Sequence, residues 1–476
     1  MAQKNPIFLA GAAETVITPL PGSPTLGTIQ RSTGVHDDLH ARALVLSDGR
    51  QRIAILSLDL IGTDFILSDQ IREAILKRTG IAFTLVHCTH NHSAPFTIPW
   101  SVLGSRWLVG PGKSWRDGLP IRLAELASQA EGKSETATLR VGRTPVRIGT
   151  NRRLPSEQGI VMKPNPDGPR VPWVDVLRVD RLDGSPLAVL FSHAAHPVII
   201  HGSSREISAE FPGFATLKLK ERFGGDVVTM FGQAFAGNIN GDPLRGGMAA
   251  AEHAGKVLAE AAFQAASKSV ALPSGEFRLS SIHSEIPLQP LPAREDCARL
   301  LREAEECLVK RYGKASFSDE QLWDMQDEAE TAKSQNESKA ADDVQPMEGK
   351  AWWMVDTVLC LRDLLKKIDD RDERQLRFDA HLIRIGDSWS LLAASHELFA
   401  EYQLLLDDAA PAEHNMMLSY TNGCESYIPM DRDLALGGYE AASFPDDGAA
   451  LRYRHRRALQ FGFEKPLIEQ LRSLWS

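Results

Sequence analysis

The chain has 476 residues, 43% of them hydrophobic and 24% charged, and a formal net charge of −9. At roughly 100–200 residues per domain it is long enough for a large core, and the composition excludes a disordered, collagenous or coiled-coil chain. The negative balance argues against general nucleic-acid binding, because an acidic surface gains nothing from counterion release on phosphates. No apolar run reaches the ~20 residues of a membrane-spanning helix. The run from Ile7 to Ala13 is also too short for a secretory signal. The expected compartment is therefore the cytoplasm, without stable membrane insertion. Five scattered cysteines, Cys88, Cys297, Cys307, Cys360 and Cys424, with no CxxC pair, fit a reducing environment.

The first 290 residues read as alternating strands and helices. ARALVLSDGRQRIAILSLDL is a hairpin turning at Asp48-Gly49. Ser68 to Lys77 reads as a helix stopped by Gly80, and residues 82–88 as a buried strand. A second hairpin turns at Asp183-Gly184. Phe214 to Phe223 is the next helix, DVVTMF a strand, and Met248 to Ser267 an Ala-rich helix. Residues 292–370 change character: apolar positions at helical spacing in a charged background predict two or three inserted helices, with SQNESKAADDVQPMEG as a loop. RFDAHLIRIGDSWSLLAAS returns to a hairpin at Gly386-Asp387, and Asp447 to Trp475 reads as one helix. The fold class expected is α/β, mixed sheets flanked by helices, as one domain over 1–476 with the helical insertion within it.

The chemistry concentrates at strand ends. In HCTHNHSAP, His90 and His92 are two apart, and extended backbone would put them on one face. Paired imidazoles there suit a metal ion or a proton-transfer pair. FSHAAHPVIIHGSS brings His193, His196 and His201 to the end of another apolar strand, and one of them is expected to cap the strand. Catalytic zinc usually takes three protein ligands and leaves a position for water. Glu397 in LLAASHELFAEY, after a third apolar strand, is the candidate carboxylate; a helix-start Glu would have the same spacing.

Taken together, the segments GAAETVITP, GVHDDLHARALVL, SLDLIG, THNHSAP, NRR, HAAHP, ISAEFPG, FGQAFAGNIN, HELFAEY and SYIPMDRDLALGGYE are similar to those of the neutral, non-lysosomal ceramidases, in that family's order over nearly the whole chain. The resemblance implies a zinc amidohydrolase with one Zn²⁺ per chain, held by His90, His196, Glu397 and, as fourth ligand, Tyr427. It implies that His92 and Arg152 contact substrate. Two imidazoles and one carboxylate leave the ion about +1, enough to activate water near neutral pH. Tyr427 could hold an oxyanion, His92 could protonate the leaving group, and Arg152 could orient an anionic or hydroxyl-rich substrate.

Three departures from the family stand out. Asn240 occupies the position of its serine, to which a nucleophilic role is ascribed, so water is the expected attacker, and Asn240 or Asn238 is left to hydrogen-bond substrate. His396 stands where the family usually has glycine. The additional C-terminal β-sandwich of secreted ceramidases is not expected. Trp100, Trp107, Trp115 and Trp173 lie near the motifs, where indoles line acyl pockets, stack on sugars or simply pack loops; the insertion, with Trp352-Trp353, could be a lid or a dimer contact.

The leading expectation is a metal-dependent hydrolase cleaving an amide, or a related bond, in a small soluble molecule. Other readings are a sugar-processing enzyme on the same scaffold, cleaving a glycosidic bond or eliminating across a ring, and a binding protein on a decayed hydrolase. A barrel amidohydrolase using the H-x-H fits poorly, since it wants that motif early and an aspartate late. A homo-oligomer is left open.

Overall fold

The computed structural model describes residues 8–27, 31–101, 107–108, 110, 112–157, 159–314, 316–318, 321 and 351–476. Two sheets stacked face to face and covered by helices form four layers. The larger, nine-stranded sheet runs in the order 228–233, 186–193, 173–181, 135–145, 8–16, 40–47, 52–58 and 83–88, with 270–271 added on 135–145. The smaller runs 277–286, 376–385, 389–394 and 414–418. Side chains from both sheets, among them Leu44, Ile55, Leu139, Leu190 and Met230 against Ile383, Trp389, Leu391 and Leu418, make one continuous core. The outer face of the large sheet packs on helices 65–79 and 113–132 at one end and 210–223 and 248–267 at the other. Coverage on both faces explains why strands such as His40–Ser47 and Arg52–Leu58 read as nearly continuous apolar runs. The expected mixed α/β class is the one observed.

Within this frame, three stretches repeat one unit: strand, helix, parallel strand. They are Arg52–Leu58 with Phe83–Cys88, Pro186–His193 with Val228–Gln233, and Trp389–Ala394 with His414–Leu418. Parallel pairing requires a crossover, and helices Phe65–Thr79, Glu210–Phe223 and Ala400–Ala409 supply it. The first shows local sequence at work. Asp64 caps it by accepting from the Leu67 N–H at 2.8 Å, and Gly80 ends it at φ 73° while donating to the Leu76 carbonyl.

The predicted hairpins at Asp48-Gly49, Asp183-Gly184 and Gly386-Asp387 are antiparallel pairs. Among the described residues, two helices, Arg294–Tyr312 and Ala351–Asp369, stand between the paired strands Phe277–Ile286 and Leu376–Ile385. The loop expected over 334–349 lies outside the described residues. The single helix expected over Asp447 to Trp475 is not formed. Two short helices, Ala449–Arg452 and Glu464–Ser473, flank an irregular stretch. There Tyr453, Arg456 and Arg457 are buried and hydrogen-bonded to other segments, and Arg456 and Gly462 adopt positive φ. Tertiary hydrogen bonds have overridden helical patterning.

Candidate metal centre

Ligands of open α/β sheets gather at the carboxyl ends of parallel strands, and here the candidate residues follow those ends. His90 and His92 come after Cys88, His196 after His193, Asn238 and Asn240 after Gln233, Glu397 after Ala394, and Tyr420 and Tyr427 after Leu418. One buried histidine clamps three of these ends together. His87 Nδ1 donates to the Ser419 carbonyl at 2.9 Å, and its Nε2 accepts from the Gln233 N–H at 2.8 Å. Burial pushes this imidazole down to about pH 3, so it stays neutral and keeps one donor and one acceptor.

The strand ends at Cys88, so His90 and His92 do not share a face through extended backbone. His90 adopts φ 63°, and this turn brings the two Nε2 atoms within 3.3 Å. His396 and Tyr420 also have positive φ, at 70° and 51°. Left-handed conformations at non-glycine residues are costly and mark tightly determined loops.

The candidate ligand atoms of His90, His92 and His196 lie within 4.8 Å of one another, a group that could hold a metal ion. Glu397 joins them: its Oε2 is 3.1 Å from His90 Nε2 and 3.2 Å from His196 Nε2. The opposite edges of the two rings face carbonyls, which can only accept. His90 Nδ1 donates to Ile61 O at 2.7 Å, and His196 Nδ1 donates to Ala236 O at 2.7 Å. In the neutral tautomer each Nε2 therefore presents a lone pair to the carboxylate. Burial, reinforced by the nearby Arg152 charge, lowers His196 to about pH 3, and burial likewise holds His92 well below its ordinary value. Lone pairs and an anion converging in a buried space fit a cation.

Arg152 and Asn240 sit beside this cluster, and Arg152 is heavily engaged. It donates to Glu440 Oε1 at 2.6 Å, Asn240 Oδ1 at 2.9 Å, Gly237 O at 2.7 Å and Tyr427 Oη at 3.1 Å. All but one of its N–H donors are thereby committed. Asn240, one lone pair of its oxygen taken by Arg152, has its amide N–H groups to offer a ligand. Asn238 is structural: it accepts from the Ala400 N–H and donates to Glu401. Tyr427 pairs with Glu397 in a two-residue parallel strand, and its ring stacks along His196 at 6.5 Å.

The remaining candidates separate from the cluster. His193 donates from Nδ1 to the Trp173 carbonyl, the capping role expected for one histidine of its segment. His201 lies 5.2 Å from His92, ring to ring. His396 adds no ligand, because Nε2 donates to Arg377 O and Nδ1 accepts from the Glu425 N–H. The Trp115 and Trp173 indoles bond to Ile17 O and Asp175. Trp100 and Trp353 do reach the region, through ring contacts from Trp100 to Trp353 to Tyr439 to Tyr427. The side chain of Trp352 lies outside the described residues. Sequence reasoning missed Glu440, Tyr420 and Tyr453. Glu440 closes the last motif and could have been marked; Tyr420, stacked on His90 at 4.0 Å, and Tyr453, which donates to Glu397 Oε1, carried no local signal.

No protein-family model and no curated protein sequence matches the chain. Among solved structures it is similar to the neutral ceramidase from Pseudomonas aeruginosa, with TM-score 0.66 and 16% identity, covering 98% of this chain and 74% of that one. It is similar to a ceramidase complexed with C2 to the same TM-score, at 15% identity, covering 98% and 75%. The chain thus has the neutral ceramidase fold over almost its whole length, the family whose motifs its sequence resembles.

Proposed function

We propose that the protein is a zinc-dependent hydrolase that cleaves an amide bond of a small N-acyl substrate. The observation that carries this reading is the convergence of His90 Nε2, His196 Nε2 and Glu397 Oε2, with both Nδ1 protons committed to backbone carbonyls. The ceramidase fold supports amide chemistry over the sugar-processing reading, and so do the packed indoles of Trp115 and Trp173.

His90, His196 and Glu397 would hold the ion, with Tyr427, adjacent to Glu397 in the parallel pair, as fourth ligand. When bound, zinc makes water nucleophilic near neutral pH and polarises a carbonyl. The chain's residues supply the rest. His92, neutral through burial, can take a proton from the attacking group and return it to the leaving nitrogen. In place of ligating the ion, Tyr427, its phenol kept protonated by burial, can donate to a developing oxyanion. Arg152 holds Tyr427 and Asn240 in place, which leaves Asn240 to orient the substrate by its amide N–H groups.

Elemental analysis of protein purified without added metal should find about one zinc per wild-type chain and a large loss in His196→Ala. N-acyl amino acids and N-acyl amines are the first substrates to screen. A wild type that takes up no zinc even when supplied would overturn the reading.

A further inference from the structure

We infer that Tyr453 is the positioning residue of Glu397: it fixes the orientation of the carboxylate that the metal centre needs. The inference rests on the metal reading above and extends it to a residue outside every motif used so far.

Glu397 has two oxygens with separate tasks. Oε2 faces His90 and His196 at 3.1 and 3.2 Å, and Oε1 accepts a hydrogen bond from the Tyr453 hydroxyl. The phenol is 3% exposed, and its hydroxyl supplies the proton of this bond, because a carboxylate oxygen can only accept. A carboxylate pinned by one oxygen cannot rotate to give both to its neighbours, which leaves Oε2 directed at the imidazoles.

Tyr453 is itself held rigidly. Its neighbour Arg452 is fully buried and lies 3.2 Å from Asp356 on the inserted helix Ala351–Asp369. Arg452 also donates to Thr357 at 2.7 Å and to Asp447 at 3.0 Å, and its guanidinium covers the Trp353 ring at 3.8 Å. Arg456 extends the same attachment to Asp363 at 2.9 Å. These bonds tie the stretch 447–456 to the insertion, so the insertion contributes to the metal centre through Tyr453 without supplying a ligand.

The test is zinc affinity measured by competition with a chromophoric chelator. Tyr453→Phe keeps the ring and removes only the hydroxyl; affinity should fall about 10–100-fold, the usual effect of losing a partner of a metal ligand. Tyr402→Phe is the control, since its buried hydroxyl bonds to Pro429 O and not to Glu397, and affinity should be unchanged. In a Glu397→Gln background, Tyr453→Phe should have little further effect, because the tyrosine acts through that carboxylate. Asp356→Asn leaves the hydroxyl in place but loosens Arg452, and should weaken binding several-fold; it carries the test if the phenylalanine variant folds poorly. Zinc binding by Tyr453→Phe equal to wild type would overturn this inference alone, whereas a wild type without zinc would overturn the metal reading as well.

Discussion

Arg152 offers the sharpest test of how the centre is held. It and Glu440 are both buried, at 4% and 6% exposure, and their ion pair is 2.6 Å long. Arg152→Met keeps an apolar stem and removes every donor. Glu440 keeps Arg153 at 2.7 Å on its other oxygen, so it is left half-paired. Asn240 Oδ1 and Gly237 O lose their donor as well. Breaking a buried ion pair from one side costs about 3–5 kcal/mol, and stranded neutral acceptors cost about 1–3 kcal/mol each but not additively. The expected loss is therefore about 4 kcal/mol, measured by urea denaturation with linear extrapolation. Glu440→Gln in the same background should recover part of it, because the uncompensated charge is then gone. A loss under about 1 kcal/mol would refute the structural role and return Arg152 to substrate binding alone.

Three further outcomes follow from burial and close packing elsewhere in the fold. Burial lowers His87 and His455 to about 3 and His193 and His381 to about 4, so between these values and 6.5 the unfolded chain binds more protons than the folded one. Stability should fall as pH drops from 6.5 towards 4. Glu210, raised to about 7 by burial, works in the opposite sense, losing stability as pH rises from 4.5 to 7; urea melts of Glu210→Gln should show a steeper rise with pH than wild type, and a flatter one would contradict the assignment. Gly237→Ala would set a Cβ 2.5 Å from the Glu397 carbonyl oxygen, so backbone must move beside the proposed ligand. A stability loss of about 1–3 kcal/mol and weaker zinc retention are expected, and unchanged zinc affinity would show that Glu397 tolerates the shift.

Much of the centre was legible because its residues sit in short motifs at strand ends. The H-x-H, the histidine before Pro197 and the Glu after Ala394 could be marked from apolar runs and residue type, and family resemblance joined them. The geometric reason given for His90 and His92 did not survive, since a left-handed residue and not strand alternation brings them together. Tyr453 was illegible. It meets Glu397 across 56 residues from an irregular stretch whose pattern looked helical, and only the buried bonds of Arg452, Arg456 and Arg457 unwind it.

The sequence by itself determined the three hairpins, the first two crossover helices and the tight turns, because periodicity, caps and Asp-Gly pairs are local and their physics acts within a few residues. Tertiary structure alone decided which strand ends meet, which ring nitrogen keeps its lone pair, and how Arg152 divides its donors. Those depend on carbonyls and carboxylates brought from distant segments: Ile61 beside His90, Ala236 beside His196, and Glu440 beside Arg152. A hydrogen bond is directional and acts over about 3 Å, so it can be assigned only once the chain has folded its partners into reach.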